Sequence, residues 1–122
     1  MKIFDSNIII YSSQIEFQFL RSIINRPESY ISEISRLEVL GYHQINIIDK
    51  SYFESLFSLL SIIPIDKSVV DLAIDLRQKK KMSVGDSIIA STALLYNCEL
   101  YTRNVNDFSW IENLTVINPF IN

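Results

Sequence analysis

Glycine, proline and cysteine are all scarce in this chain of 122 residues, which contains two glycines, three prolines and one cysteine. So few glycines and prolines leave little room for long loops or linkers, and this argues against a disordered protein. The single cysteine, Cys98, excludes an internal disulfide and suits a reducing cytoplasm. We expect Cys98 to be a small buried apolar side chain and the protein to be cytoplasmic.

Long apolar runs and positive charge are also missing. No run approaches the roughly 20 apolar residues of a membrane span, and Asp5 interrupts an N-terminal segment that lacks a small-residue cleavage site. We therefore expect neither a signal peptide nor a membrane partner. The net charge of -3 argues against a stoichiometric nucleic-acid coat protein. It remains compatible with a nuclease whose acids surround a cation.

Apolar residues are abundant, at 48% of the chain. The length fits a single domain spanning residues 1–122. A domain of this size has a high surface-to-volume ratio, so part of its apolar surface is expected to be covered by a partner chain. We expect that partner to be a second copy, forming a homodimer through apolar helix surface.

Strand-like and helix-like segments alternate along the chain. The predicted strands are Lys2–Phe4, Ser29–Ser32, Ile62–Ile65 at a sheet edge, Leu100–Thr102 and Thr115–Ile117. The predicted helices are Gln14–Asn25, Glu33–Gln44, Ser51–Leu60, Lys67–Lys80 and Val84–Tyr96. Asp49 is the predicted cap of the third helix. The fourth is amphipathic, with its apolar residues at Val70, Ala73, Ile74 and Leu76. This alternation, with short connections, predicts a three-layer α/β/α fold around a parallel sheet.

Two acids, Asp5 and Asp107, follow predicted strands directly or after a short turn. Ligands of open α/β sheets bind beyond the carboxyl ends of the strands, so both positions are candidates for a functional site. Each also has a purely structural interpretation. Asp5 would serve equally well as a helix N-cap, and Asp107 as a turn residue that bonds its own backbone.

Glu38 is a third candidate. Its helix carries Ile34, Leu37 and Gly41 at the spacing of an inward stripe, and Glu38 occupies a position in that stripe where an apolar residue is expected. A buried carboxylate needs compensation, which a metal ion or an arginine would supply. We therefore predict that Glu38 is buried and functional.

Asp86 is the fourth. The segment Ser83–Asp86 has the form of a helix capping box, which requires no active site. Taken together, however, the four acids fall at strand ends and helix starts on one rim of the predicted sheet. Their convergence is the argument for a shared site.

Four segments then resemble the motifs of PIN domains, in particular the toxin subunits of VapBC toxin–antitoxin modules. They are Phe4–Tyr11, Ser32–Tyr42, Gly85–Ala93 and Tyr101–Phe108, in the order of the family and spread over essentially the whole chain. The third and fourth are the specific ones. The resemblance implies a five-stranded parallel sheet in the order 3-2-1-4-5.

The resemblance also implies the site and the activity. It makes Asp5, Glu38, Asp86 and Asp107 the acidic quartet, with Ser6, Thr102 and Asn104 as accompanying polar residues. A set of oxygen ligands suits Mg²⁺ or Mn²⁺ rather than zinc. The implied function is that of a metal-dependent endoribonuclease that cuts an RNA substrate and is inhibited by a cognate antitoxin protein.

Basic and aromatic residues near the motifs have two interpretations each. Arg103 is a candidate for a phosphate contact, and the run Arg77, Lys79, Lys80 and Lys81 either steers RNA or forms a solvated helix end. Phe108 and Trp110 are expected to pack in the core rather than stack on bases.

Three alternatives stay open. One is a PIN nuclease of RNA maturation that has no antitoxin, and another is a PIN-like scaffold that binds without cutting. The third, from a different class, is a phosphoacceptor receiver domain with Asp66 as the acceptor. That fold requires a pair of acids after the first strand, where this chain has only Asp5.

Overall fold

The computed structural model describes residues 1–121. The strands are β1 (Lys2–Phe4), β2 (Ser29–Ser32), β3 (Ser61–Ile63), β4 (Glu99–Tyr101) and β5 (Val116–Ile117). The helices are α1 (Ser6–Tyr11), α2 (Phe19–Ile24), α3 (Glu33–Leu40), α4 (Ile47–Leu59), α5 (Lys67–Lys79), α6 (Val84–Leu95) and α7 (Val105–Phe108), with a 3-10 turn at Ile15–Phe17. Among these residues, no helix has both the length and the apolar character of a membrane span.

The five strands form one parallel sheet in the order β3-β2-β1-β4-β5, which confirms the expected fold. Strand β1 lies in the centre, and the chain moves outward from it first on one side and then on the other. Phe4 pairs with Tyr101 in the register of β1 and β4. The residues that follow, Asp5 and Thr102, therefore leave the sheet side by side at the point where strand order reverses, the usual ligand position in such folds.

Apolar side chains pack on both faces of the sheet. Neighbouring residues of β1 point to opposite sides, so that Phe4 joins one core cluster and Ile3 joins the other. The first cluster packs under α1, α2 and α4, and the second under α6 and α7. Both residues are fully buried, and the three-layer arrangement follows from this two-sided burial.

Several predicted boundaries were wrong. The helix predicted at Gln14–Asn25 is interrupted, because Gln14 is extended and the following 3-10 turn ends before α2 begins. Phe17 in that turn packs edge-on against Tyr11 at 5.3 Å between ring centroids. Such a tertiary contact leaves no trace in the periodicity of the sequence.

The region between α3 and α4 also differs from its prediction. Helix α3 ends at Leu40 rather than Gln44, and α4 begins four residues before Ser51. Its cap is Asn46, whose side chain accepts a hydrogen bond from the backbone N–H of Asp49 at 2.8 Å. Asp49, predicted as the cap, instead lies in the first turn, a favourable place for an acid because of the helix dipole.

Candidate metal and nuclease site

Asp5 is nearly inaccessible, with 4% of its surface exposed at the end of β1. Its side chain makes no cap hydrogen bond to α1, so the helix-cap interpretation is wrong for the carboxylate. Asp5 Oδ2 instead accepts a hydrogen bond from Thr102 Oγ1 at 2.9 Å. The Thr102 hydroxyl in turn accepts from the backbone N–H of Asn104 at 3.0 Å, which fixes its proton toward Asp5.

Burial raises the pKa of Asp5 from 3.8 to about 6. The hydrogen bond from Thr102 lowers this pKa in part, whereas the negative charges of Asp86 and Glu38 raise it further. No arginine or lysine contributes to the balance. Asp5 is thus a buried acid that ionises near neutral pH at a cost in free energy, which a bound cation would remove.

Glu38 does not lie in an apolar stripe, contrary to our expectation. Leu37 is 68% exposed, and the buried residues of α3 are Ser35 and Val39. Glu38 itself is exposed and faces α1 and α6. The prediction that Glu38 is buried was therefore wrong, although its charge acts on both Asp5 and Asp86.

Hydroxyl groups position the Glu38 carboxylate. Ser6 Oγ donates to Glu38 Oε1 at 2.7 Å and lies 2.9 Å from Ser35 Oγ. Ser6 and Ser35 are buried, with 6% and 0% of their surfaces exposed. Ser35 was not singled out from the sequence, and its position three residues before Glu38 on the same helix face is the signal that would have found it.

Gly85 gives Glu38 the space for this position. A Cβ atom added to Gly85 would lie only 2.5 Å from Glu38 Oε2, so the carboxylate packs directly on the first turn of α6. Gly85 was not recognised as functional from the sequence alone. It is one of two glycines in the chain, and glycine inside a helix costs stability, which is itself a signal of close approach.

Asp86 combines the two interpretations given to it. The Ser83 hydroxyl accepts a hydrogen bond from the Asp86 backbone N–H at 3.1 Å, so the cap at the start of α6 is present. The half-buried Asp86 side chain nevertheless faces the other acids. Burial raises its pKa, as do the charges of Asp107 and Glu38, while a hydrogen bond from Ser83 lowers it.

Asp107 lies exposed in the first turn of α7, close enough to Asp86 for its charge to raise the Asp86 pKa. The charge of Asp86 therefore interacts with those of all three of the other acids, of which Asp5 is buried and Asp107 is exposed. The structure thus places the four predicted acids near enough for their charges to interact, close to the carboxyl ends of β1 and β4, and we call this region the acidic cleft; Asp86 and Asp107 line a cavity there.

The donor set of this cleft fits a hydrated divalent cation. None of the four acids takes part in a salt bridge within residues 1–121, so their charge has no internal counterion. In the same part of the chain, no three Asp, Glu, His or Cys side chains are grouped tightly enough to hold an ion by themselves. Mg²⁺ keeps several waters and binds through one or two carboxylates, so spaced oxygen ligands suit it.

Arg103 occupies an aromatic surface beside the cleft. Its guanidinium carbon lies 4.3 Å from the Phe120 ring centroid and 5.2 Å from that of Tyr11. These rings support the side chain by cation–π contact while the residue remains exposed. Phe108 is fully buried, as predicted for a core residue, and Cys98 is buried as expected, with 5% of its surface exposed.

The topology excludes the receiver-domain alternative. A receiver-like sheet has the order 2-1-3-4-5, whereas here β3 is an edge strand next to β2. Asp66, the residue that would have been the phosphoacceptor, caps α5 by accepting a hydrogen bond from the backbone N–H of Val69 at 3.0 Å.

Comparison with known proteins gives one consistent family. The PIN domain family model matches residues 2–112. A protein named Ribonuclease VapC, from Rickettsia bellii, is 32% identical over 104 residues, which cover 76% of this chain and 78% of that protein.

Solved structures resemble this one over nearly the whole chain. A toxin–antitoxin complex from Klebsiella pneumoniae contains a chain with a TM-score of 0.80 and 30% identity, and the match covers 98% of each chain. VapBC2 from Rickettsia felis, bound to a DNA fragment from its promoter, gives a TM-score of 0.80 over 96% of this chain and 97% of that one. At 22% identity, this second likeness concerns the fold.

Proposed function

Because this chain belongs to the PIN domain family, we propose that it is a cytoplasmic, Mg²⁺- or Mn²⁺-dependent endoribonuclease and the toxin of a toxin–antitoxin pair. The observation that carries the proposal is the cleft of four coupled carboxylates without an internal counterion. Its proposed ligands and catalytic residues are Asp5, Glu38, Asp86 and Asp107. Ser6, Thr102, Arg103 and Asn104 are proposed as supporting or substrate-binding residues.

The burial of the four acids suggests a different role for each pair. Asp5 and the half-buried Asp86 would hold the inner side of a cation, while the exposed Glu38 and Asp107 face the side from which RNA approaches. When bound, the cation lowers the pKa of a water molecule and neutralises charge on the scissile phosphate. Thr102 and Ser6 keep two of the carboxylates in fixed orientations, so little reorganisation is needed for binding.

The proposed protein partner is an antitoxin, and we propose that its C-terminal segment occupies the acidic cleft. The likeness to a chain of a toxin–antitoxin complex at 30% identity supports this proposal. A PIN nuclease of RNA maturation without an antitoxin is the alternative. The toxin is favoured because the solved chain that is 30% identical comes from a toxin–antitoxin complex and the relative that is 32% identical is named Ribonuclease VapC.

Expression of the gene with and without a small neighbouring open reading frame tests this proposal. Alone, the chain should arrest growth and leave new RNA ends bearing 5′-phosphate and 3′-hydroxyl groups, and co-expression should abolish both effects. Sequencing of RNA ends is the measurement, and Asp5→Asn is the control for toxicity unrelated to cleavage. Harmless expression of the intact chain alone, with no new RNA ends, would contradict the proposal.

We also propose a homodimer formed by the outer faces of α5 and α6. Val70, Ile74 and Val84 are 41%, 49% and 53% exposed, so two of the four apolar residues that predicted an amphipathic α5 lie on its outer face. All three line one cavity of about 520 Å³. Light scattering should give twice the chain mass of 14.2 kDa, and Ile74→Asp should give the monomer. A wild-type monomer at high concentration would exclude this dimer.

A further inference from the structure

A groove opens from the acidic cleft toward the end of α5. It has a volume of about 570 Å³ and contains Asp86 and Asp107 at one end. Its remaining wall includes the cations Arg77, Lys80 and Lys81 and the ring of Trp110. We propose that this basic groove binds the phosphate backbone of a single-stranded RNA segment next to the scissile phosphate. The inference rests on the proposed nuclease function and adds the path of the substrate.

The charges of the basic groove are not compensated by the protein. Within residues 1–121 no carboxylate lies within 4.0 Å of Arg77, Lys80 or Lys81. The chain is acidic overall, and these cations nevertheless stand beside a cleft of acids without pairing with them. A ligand that satisfies both ends must carry negative charge along the groove and bring a cation to the acids. A phosphodiester strand bound with a divalent metal ion has both properties.

Arg77 and Lys80 are each held in the groove by one contact. Arg77 Nε donates to the carbonyl oxygen of Met82 at 3.2 Å, which ties its guanidinium to the connection before α6. Lys80 Nζ lies 5.6 Å from the ring centroid of Trp110. The indole N–H of Trp110 donates to the carbonyl oxygen of Asp107 at 3.0 Å. The position of Lys80 is therefore linked to Asp107 through the side chain of Trp110.

The size of the basic groove favours a single strand. Its volume lies in the range of pockets that enclose a small-molecule ligand, room for about one or two nucleotides but not for a double helix. The partly exposed indole of Trp110 packs against the core cluster under α6 and α7, as predicted for a core residue, and carries Lys80 over its ring, so it positions that cation in the groove. A double helix would not fit in a groove of this volume, so the groove distinguishes unpaired from paired RNA.

The basic run itself supplies a matched control. Lys79 immediately precedes Lys80 but does not line the basic groove; it lines a neighbouring cavity with Leu72 and Glu112, and Lys80 and Trp110 form the wall between the two. Lys79→Gln and Lys80→Gln therefore remove the same charge from adjacent positions, one outside and one inside the basic groove. A general electrostatic attraction would be weakened equally by both, whereas a specific backbone contact is lost only in Lys80→Gln.

The test is the binding of a fluorescein-labelled, 12-nucleotide single-stranded RNA, measured by anisotropy in EDTA at several NaCl concentrations. Each phosphate contact to a single strand contributes about 0.7 to the slope of log affinity against log salt concentration. Loss of one contact therefore lowers the affinity about fivefold at 0.1 M salt. Lys80→Gln and Lys81→Gln should each show this loss of slope and affinity. Lys79→Gln should change affinity less than twofold, and Lys80→Arg should bind like the wild type.

Trp110→Leu removes the ring that holds Lys80, so it should weaken binding of the single strand and leave binding of a duplex of the same sequence unchanged. Equal weakening by Lys79→Gln and Lys80→Gln, or no weakening by Lys80→Gln and Lys81→Gln, would overturn the inference. Because EDTA removes the metal, this result is independent of hydrolysis. A chain that binds in this way but fails to cleave with Mg²⁺ refutes only the proposed nuclease function.

Discussion

Asp5→Asn should reduce RNA cleavage about 1,000-fold and, at the same time, stabilise the metal-free protein at pH 7.5. The loss of activity corresponds to about 4 kcal/mol of transition-state stabilisation, the order expected when a metal ligand is removed. The gain in stability follows from the pKa of Asp5, which burial raises from 3.8 to about 6. This raised pKa disfavours the folded, ionised state by about 3 kcal/mol.

The pH dependence gives the sign of this effect. Because the folded pKa lies above the unfolded one, wild-type stability from this group is fully present below pH 3.8 and is lost as the pH rises to about 6. Asn is nearly isosteric and still accepts the hydrogen bond from Thr102, so no cavity forms. The two proteins should melt alike near pH 4, and the variant about 10 °C higher at pH 7.5.

Thermal melts in EDTA at both pH values measure this difference. Asp75→Asn is the control, since it removes an exposed acid from α5. Addition of Mg²⁺ should stabilise the wild type more than Asp5→Asn, because a ligand stabilises only the state that binds it. If Asp5→Asn melts far below the wild type at pH 7.5 without metal, Asp5 has a structural role instead.

Gly85→Ala should lower kcat/KM for RNA about 10- to 100-fold without loss of stability. The added Cβ would lie 2.5 Å from Glu38 Oε2 and 3.1 Å from Cδ, so the carboxylate must move away from its place. The atoms that move belong to the end of a flexible side chain, which makes the displacement inexpensive. Alanine also favours the helix over glycine by about 0.5–1 kcal/mol, which offsets the lost contact with Ser6.

Gly41→Ala is the opposite control. A Cβ at Gly41 would collide with the backbone carbonyl of Leu37, which cannot move without distorting the end of α3. This variant should lose stability, and its folded fraction should retain cleavage. Melting temperatures and kcat/KM of both variants are the measurements. Gly85→Ala with unchanged activity would mean that the position of Glu38 is irrelevant to cleavage.

The fold was predictable because local signals agreed with each other. The boundaries of β1 and β2 matched the prediction, and the amphipathic segment of α5 and the capped start of α6 were located within one residue. Parallel strands joined by helices then leave few arrangements of the sheet. Asp5 and Asp107 were placed at the carboxyl-end rim of the sheet by the same reasoning, since each follows a strand.

Glu38 was predicted as a site residue on two grounds, the family resemblance and its place in an apolar stripe of α3, and the second ground was wrong. Helix α3 borders the cleft, and polar side chains such as Ser35 lie on the face that packs there. The spacing of apolar residues in its sequence therefore does not identify the packed face. Leu37 is exposed for this reason, while Ser35 is buried against Ser6. The role of Gly85 depends on a contact with Glu38, on another helix and 47 positions earlier in the sequence. Periodicity and capping signals carry no information on such a contact.

The most direct test of the metal site is the binding of Mn²⁺ to the purified protein by isothermal titration calorimetry at pH 7.5 and pH 5.5. We predict that the wild type and Asp75→Asn bind Mn²⁺ with the same affinity, that Asp5→Asn binds at least about tenfold more weakly, and that Mg²⁺ competes. Affinity of the wild type should fall at pH 5.5, because protonation of Asp5, with a pKa of about 6, competes with the metal. Equal Mn²⁺ affinity of the wild type and Asp5→Asn at both pH values would contradict a metal site built on these four acids.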